Sequence, residues 1–154
     1  MDTLAQLPLA SPDATAARPL AHRLPTAGRL VMGVAFLVFG LDGFFAFMPR
    51  PPAGTMPAAA EALGGALFAS GYMMPLVKGT EVFVGALLLS NRFVPLALAM
   101  IAPVLVNIVA FHGFLAPAGL GPGLVLLALE LYLAWSYRDA YRPMLTARTW
   151  PTRS

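Results

Sequence analysis

Four long apolar stretches, separated by short polar or proline-rich connections, organise this chain. They cover residues 30–48, 74–90, 93–115 and 124–137, and the last begins near Gly121 and Pro122. An α-helix rises ~1.5 Å per residue, so about 20 apolar residues span ~30 Å of hydrocarbon. The second stretch is short and is expected to cross with little tilt. The pattern predicts an all-α membrane protein, a four-transmembrane-helix bundle.

The connections between these stretches predict the remaining elements. In the longest connection, 50–73, Pro57 suits the first turn of a short helix that reaches residue 67. This helix, interrupted by Gly64 and Gly65, is expected to lie at the membrane interface between spans one and two. We divide the chain into a disordered cytoplasmic tail at 1–27, a transmembrane domain at 28–145 and a basic cytoplasmic tail at 146–154.

Composition agrees with a lipid environment. Of the 154 residues, 58% are hydrophobic and 11% are charged, whereas about 25% are charged in soluble domains. The net charge of +3 does not indicate nucleic-acid binding, because the basic residues lie at the edges of apolar stretches and form no stripe. The chain has no cysteine, which excludes disulfides, thiolate metal sites and iron–sulfur clusters carried by this chain.

The distribution of arginine predicts the topology. Eight arginines lie in the two tails and in the turn between spans two and three, whereas the opposite side carries only Arg50. Positive residues are retained on the cytoplasmic side of a membrane, so both termini are expected to be cytoplasmic. The eight are Arg18, Arg23, Arg29, Arg92, Arg138, Arg142, Arg148 and Arg153.

A few polar residues inside the apolar stretches are the candidate site. A charge within a bilayer costs roughly 2.5–3.5 kcal/mol on insertion scales, so such residues face the protein interior and find partners. Helical rise places all of them between about 4 and 12 Å below the outer surface, which predicts one polar layer in the outer half. The candidates are Lys78, Glu81, Asn107, Glu130, Asp42 and His112.

Each candidate has a structural and a functional interpretation. Lys78 and Glu81, three residues apart on one helical face, form either an ion pair that locks helices or a site for a substrate, a quinone or protons. For Glu130 the functional interpretation is favoured, because a single acidic residue in the middle of a membrane helix is costly.

For the other three candidates the structural interpretation is favoured. Asp42 is flanked by Gly40 and Gly43, which permit close approach of another helix, and Asn107 can bond across helices. His112 has no second histidine within the membrane to complete a bis-histidine haem, so no metal is expected.

The order of these motifs resembles the DoxX family of membrane proteins. The segments that carry the resemblance are FLVFGLDGFFAFMPRPP at 36–52, the whole of 70–112, and ELYLAWSYRDAYRPML at 130–145. They contain, in order, a GxxGxxxF-like helix, a K-x-x-E pair, an N-R-F-x-P turn, a P-x-x-x-N-x-x-x-x-H run and an E-x-Y-L-A-W ending. The resemblance covers about residues 28–145 and implies a four-helix protein of the bacterial inner membrane, associated with a quinol-linked oxidoreductase.

These expectations define three classes of function. The first is a non-catalytic accessory subunit of a membrane oxidoreductase, with a quinone or lipid-like ligand at the polar layer and a membrane or redox protein as partner. The second is a small proton-coupled transporter, and the third is a structural module that binds a partner. An apolar pocket lined by Glu81, Asn107 and Glu130 would indicate ligand binding. A continuous polar path that reaches the cytoplasmic face would indicate transport, and a filled core with no pocket would indicate a structural role.

Overall fold

The described part of the protein is helical. The computed structural model describes residues 17–50, 52 and 54–148, with side chains from residue 23 onward, and contains no strand among them. The helices are α1 (Ala17–Phe45), α2 (Ala58–Ala69), α3 (Met73–Leu89), α4 (Val94–Phe114), α5 (Leu120–Ser136) and α6 (Arg138–Tyr141). A 3₁₀ turn, Pro117–Gly119, precedes α5, and a second, Arg142–Leu145, follows α6.

The first helix begins well before the predicted span. Because α1 starts at Ala17, residues 17–27 of the predicted tail are helical; residues 1–16 and 149–154 lie outside the described residues. Pro19 lies in the first turn, where a missing N–H costs nothing, and Pro25 removes one hydrogen bond further along. A proline-rich stretch therefore did not exclude a helix here.

Three helical segments are long and apolar enough to cross a membrane. They are Arg23–Phe45, Val94–Phe114 and Pro117–Ser136. The second predicted span corresponds to α3, which has 17 residues and meets the same criterion only together with α2, from which it is bent by 88°. The short helix predicted after Pro57 is confirmed as α2, which continues through Gly64 and Gly65.

The largest helix–helix interface joins α1 and α3, which run antiparallel. A Cβ atom added at Gly85 would lie 2.6 Å from the Leu37 nitrogen and 2.9 Å from the Gly33 oxygen. A Cβ at Gly40 would lie 2.8 Å from the Val82 nitrogen. Side chains larger than hydrogen therefore do not fit, and glycine lets the two backbones touch, as small residues do in membrane helix pairs.

The remaining helices close around one apolar core. α3 packs on α4, α4 on α5, and α5 on α1. The fully buried side chains come from all four of these helices, and α4 supplies half of them. They are Met32, Phe36, Val84, Leu88, Val94, Ala97, Leu98, Ile101, Leu105 and Leu133.

Large apolar side chains also cover the outside of the packed helices. Val31 is 61% exposed, Val125 68% and Leu131 62%. These residues lie in the middle of helices, away from the loops. A soluble domain would place charged residues at such positions, so the outer surface matches the apolar interior of a bilayer.

Arg29 caps the carboxyl end of α3. Its guanidinium Nη1 donates to the carbonyl oxygen of Leu88 and lies 3.4 Å from that of Leu89, and the residue is only 6% exposed. The last carbonyls of a helix lack intrahelical donors and carry partial negative charge, which an arginine satisfies. In the sequence, Arg29 indicated only the topology; in the structure it also joins α1 to the end of α3.

We call the end of the packed helices that holds Arg29 the arginine end. The arginine end carries Arg29, the turn at residues 90–92 and α6, whose last residue, Tyr141, donates to the carbonyl oxygen of Pro95. The opposite end carries the carboxyl end of α1, the beginning of α3 and the turn before α5.

We predict that Arg29→Met lowers the free energy of unfolding in detergent micelles by about 1.5–3 kcal/mol, the range for a charged hydrogen bond. The matched control is Arg23→Met, on the same helix but exposed, which should change stability by less than about 0.5 kcal/mol. Equal losses in the two variants would assign the effect to overall charge and refute the cap.

Candidate functional site

Lys78 and Glu81 form an ion pair within α3, as the sequence predicted. The Lys78 ammonium donates to both carboxylate oxygens, at 2.9 and 3.2 Å. Glu81 is 2% exposed, whereas the Lys78 side chain is 22% exposed. Gly40 and Gly43 of α1 lie directly against Glu81 and the Lys78 alkyl chain. The Glu81 carboxylate is thus buried between α1 and α3 and is neutralised by the partly exposed Lys78, which favours a lock between helices.

Asp42 and His112 each stabilise a turn. Asp42 Oδ1 accepts a hydrogen bond of 2.7 Å from the Met48 backbone N–H, in the reversal after α1. His112 Nδ1 lies 3.1 Å from the carbonyl oxygen of Ala116, and its ring contacts Gly119 in the turn before α5. These contacts give both residues a local structural role.

Asn107 does not reach another helix. It is exposed on α4, and its Nδ2 donates at 3.0 Å to the carbonyl oxygen of Pro103, one turn earlier on the same helix. The expected bond across helices is therefore absent from the described part of the chain.

Glu130 differs from the other candidates because its carboxyl group is buried without a full set of partners. The residue is 5% exposed, and Oε2 has no hydrogen-bond partner in the part of the chain that the structure describes. An unpaired buried carboxyl oxygen costs at least ~1–3 kcal/mol, so this position needs a compensating role.

Glu130 lines an apolar groove between α4 and α5. The groove has a volume of about 430 Å³, within the usual range of ligand sites. Ala99, Ala102 and Ala134 leave the space open, because larger side chains at these positions would fill it. The other lining residues are Leu98, Val106, Leu127, Leu131, Arg138, Tyr141 and Leu145.

Two residues at the arginine end of this groove were missed by sequence analysis. The Tyr141 hydroxyl donates to the carbonyl oxygen of Pro95 at 3.0 Å, so the segment after α5 folds back onto the beginning of α4. Arg138 donates to the carbonyl oxygen of Trp135 at 3.1 Å and lies 5.0 Å from the centre of the Trp135 ring. The sequence did offer one signal for Tyr141. It follows Glu130 by eleven residues, about three helical turns, so the two residues would share one face if α5 continued to Tyr141.

The structure gives most of the candidates separate contacts. Glu81 packs against Gly40 of α1, whereas Glu130 lines the groove between α4 and α5. Apart from the pair of Lys78 with Glu81, no hydrogen bond or ion pair among the described residues joins one candidate to another. The predicted polar layer is therefore not one connected site.

The groove therefore offers one kind of chemistry. Its walls are largely apolar, and Glu130, whose buried Oε2 has no partner among the described residues, is one of the residues that line it. Among the described residues, no three histidine or acidic side chains come together as metal ligands. The arrangement suits an apolar molecule with a polar group.

We predict an asymmetric response when the buried ion pair is broken. Lys78→Met leaves Glu81 buried without a partner and should lower the free energy of unfolding by about 3–5 kcal/mol. Glu81→Met should cost less, because the partly exposed Lys78 can extend towards water. The double variant, measured in the same detergent, should regain most of the stability; a double variant as unstable as Lys78→Met would contradict a lock.

Stability at alkaline pH should depend on Tyr141. Burial of the phenol and, second, the nearby Glu130 carboxylate raise the pKa of Tyr141 above its ordinary value of 10.0. The unfolded chain therefore loses the phenol proton at a lower pH than the folded chain does. The contribution of Tyr141 to the free energy of unfolding is complete below pH 10 and is lost as pH rises through the pKa of the folded state. Unfolding followed from pH 8 to 12 should show a shallower decline above pH 10 for Tyr141→Phe than for the natural chain. Tyr72→Phe, an exposed tyrosine, is the control.

Comparison with known proteins adds no assignment to this geometry. The chain matches no family model, and no curated protein or solved structure is significantly similar to it. Any function proposed for it therefore rests on the described side chains and on the order of motifs in the sequence.

Proposed function

We propose that this protein is a non-catalytic accessory subunit of a membrane oxidoreductase system, which holds a quinone or a lipid-like molecule in the groove of Glu130. The observation that carries the proposal is a buried carboxyl oxygen without a partner at the wall of an otherwise apolar groove. A quinone or neutral lipid matches this chemistry, with a polar head for Glu130 and an apolar body for the alanine and leucine walls.

The membrane arrangement belongs to the same proposal. α1, α3, α4 and α5 form a four-span bundle, and α2, turned 88° from α3, lies along the membrane interface. The excess of arginine at the arginine end supports cytoplasmic termini, and the motif order supports a DoxX-like protein of the bacterial inner membrane. The groove of Glu130 then lies in the cytoplasmic half of the bilayer.

The contacts of the other candidates support ligand binding over the two alternatives. Lys78, Asp42 and His112 are engaged in local bonds, so the described residues form no polar path along the bundle for transport. A purely structural module would have a filled core and no pocket; here the core is filled, but α4 and α5 leave a groove between them. Of the three residues that would mark a ligand pocket, Glu130 lines this groove, whereas Glu81 and Asn107 do not.

The test is purification of the natural chain and three variants in mild detergent, followed by mass spectrometry of the bound lipids, quinones and proteins. Ala102→Phe fills the groove and should reduce the bound molecule to its level in bulk membrane lipid. Glu130→Leu removes the polar anchor and should reduce it about tenfold.

The matched control is Ala86→Phe, the same change on the exposed face of α3, which should retain the ligand. If the natural chain and Ala102→Phe carry the same bulk phospholipid and no partner protein, the proposal is wrong.

A further inference from the structure

Asn107 is a polar group on the lipid-facing side of the most apolar span. α4 has a mean hydropathy of 2.4, and Asn107 lies seven residues, or about 10 Å, from its carboxyl end. The side chain is exposed, and its Oδ1 accepts no hydrogen bond from any residue that the structure describes. In hydrocarbon an amide oxygen without a donor is costly, and water is not present to supply one.

The residues around Asn107 on the side of α4 away from the core follow a heptad pattern. They are spaced alternately by four and three residues along one stripe: Leu96, Met100, Pro103, Asn107, Ala110 and Phe114. Four of them are exposed, whereas Met100 and Ala110 are half-buried. Leu96 is 50% exposed and Phe114 86%, whereas the buried core residues of α4 lie on the other side of the helix. A repeat of 3.5 residues is the pattern of a seam between two helices, and here only one of the two helices is present.

Membrane topology restricts what a second copy can present to this seam. All copies of one chain insert in the same orientation, so a two-fold axis that relates two copies within the bilayer runs along the membrane normal. The two α4 helices are then parallel, and identical residues meet at the same depth. Asn107 would face Asn107.

We propose that the stripe from Leu96 to Phe114 is the interface of a homodimer, joined by a hydrogen bond between the two Asn107 side chains. An amide carries both a donor and an acceptor, so it is complementary to itself, as a lysine or a glutamate is not. In two-stranded parallel coiled coils an asparagine at the corresponding seam position fixes register and number of strands. Asparagine side chains likewise bond between helices in membranes.

The proposed dimer does not depend on the ligand proposed for the groove. The dimer interface does lie next to the groove, because Ala99 and Val106, which line the groove, also lie on α4 beside the stripe. In the dimer the second copy borders the groove without supplying any residue that the groove needs.

The absence of cysteine in the chain makes a clean cross-linking test available. Phe114→Cys places a single thiol at the end of the stripe, and Val125→Cys places one on the outer face of α5, where the side chain is 68% exposed. In liposomes treated with an added oxidant, Phe114→Cys should form a disulfide-linked dimer and Val125→Cys should not. No dimer from Phe114→Cys, or equal yields from both, would overturn the interface.

The role of Asn107 is tested by the dissociation constant of the dimer in bilayers, from energy transfer between labelled copies at several protein-to-lipid ratios. Asn107→Ala should weaken the dimer about threefold to thirtyfold, the range for a hydrogen bond between membrane helices. Thr80→Val is the control, since Thr80 on α3 also bonds only within its own helix, at 2.9 Å to the carbonyl oxygen of Leu76.

Unchanged dimerisation in Asn107→Ala would overturn the pairing of the two amides. In native membranes, a cross-linked product of Phe114→Cys with the mass of another protein would assign the seam to a different partner and overturn the homodimer.

Discussion

One requirement governs this structure: each polar group in apolar surroundings must find a partner inside the protein. A lipid environment offers no water to satisfy a stray N–H, carbonyl or charge. Arg29 therefore bonds the last carbonyls of α3, and Lys78 bonds both oxygens of Glu81. Asp42 and His112 satisfy backbone groups in the turns at the opposite end. The polar residues that sequence analysis selected as candidates largely serve this requirement.

Glu130 and Asn107 each have an oxygen that does not meet this requirement among the described residues, and each carries a proposal. Glu130 Oε2 is buried beside an apolar groove, and Asn107 Oδ1 is exposed on the outer face of α4. The first requires a partner small enough to enter the protein, and the second requires a partner that can cover a helix. A ligand and a second copy of the chain supply these two kinds of partner, and the two are independent of each other.

The interface between α1 and α3 and the interface between α4 and α5 have different physical bases. α1 and α3 approach to backbone contact because glycines at 33, 40 and 85 leave no side chain between them, and dispersion contacts then hold the pair. α4 and α5 are joined by larger side chains and by Tyr141, which ties α6 to the beginning of α4. Space remains between these helices, so the groove lies there.

The sequence by itself determined the helical class, the helix boundaries near the turns and the pair of Lys78 with Glu81. These follow from local rules: apolar run length, proline and glycine positions, and the spacing of residues on one helical face. It did not find the early start of α1, because Pro19 and Pro25 read as breaks although a first-turn proline is compatible with a helix. Only the tertiary structure decided that Arg29 caps α3, that Tyr141 and Glu130 share a groove, and that Glu81 packs against α1. These are contacts between residues distant in the chain, and such contacts leave no pattern in a single sequence.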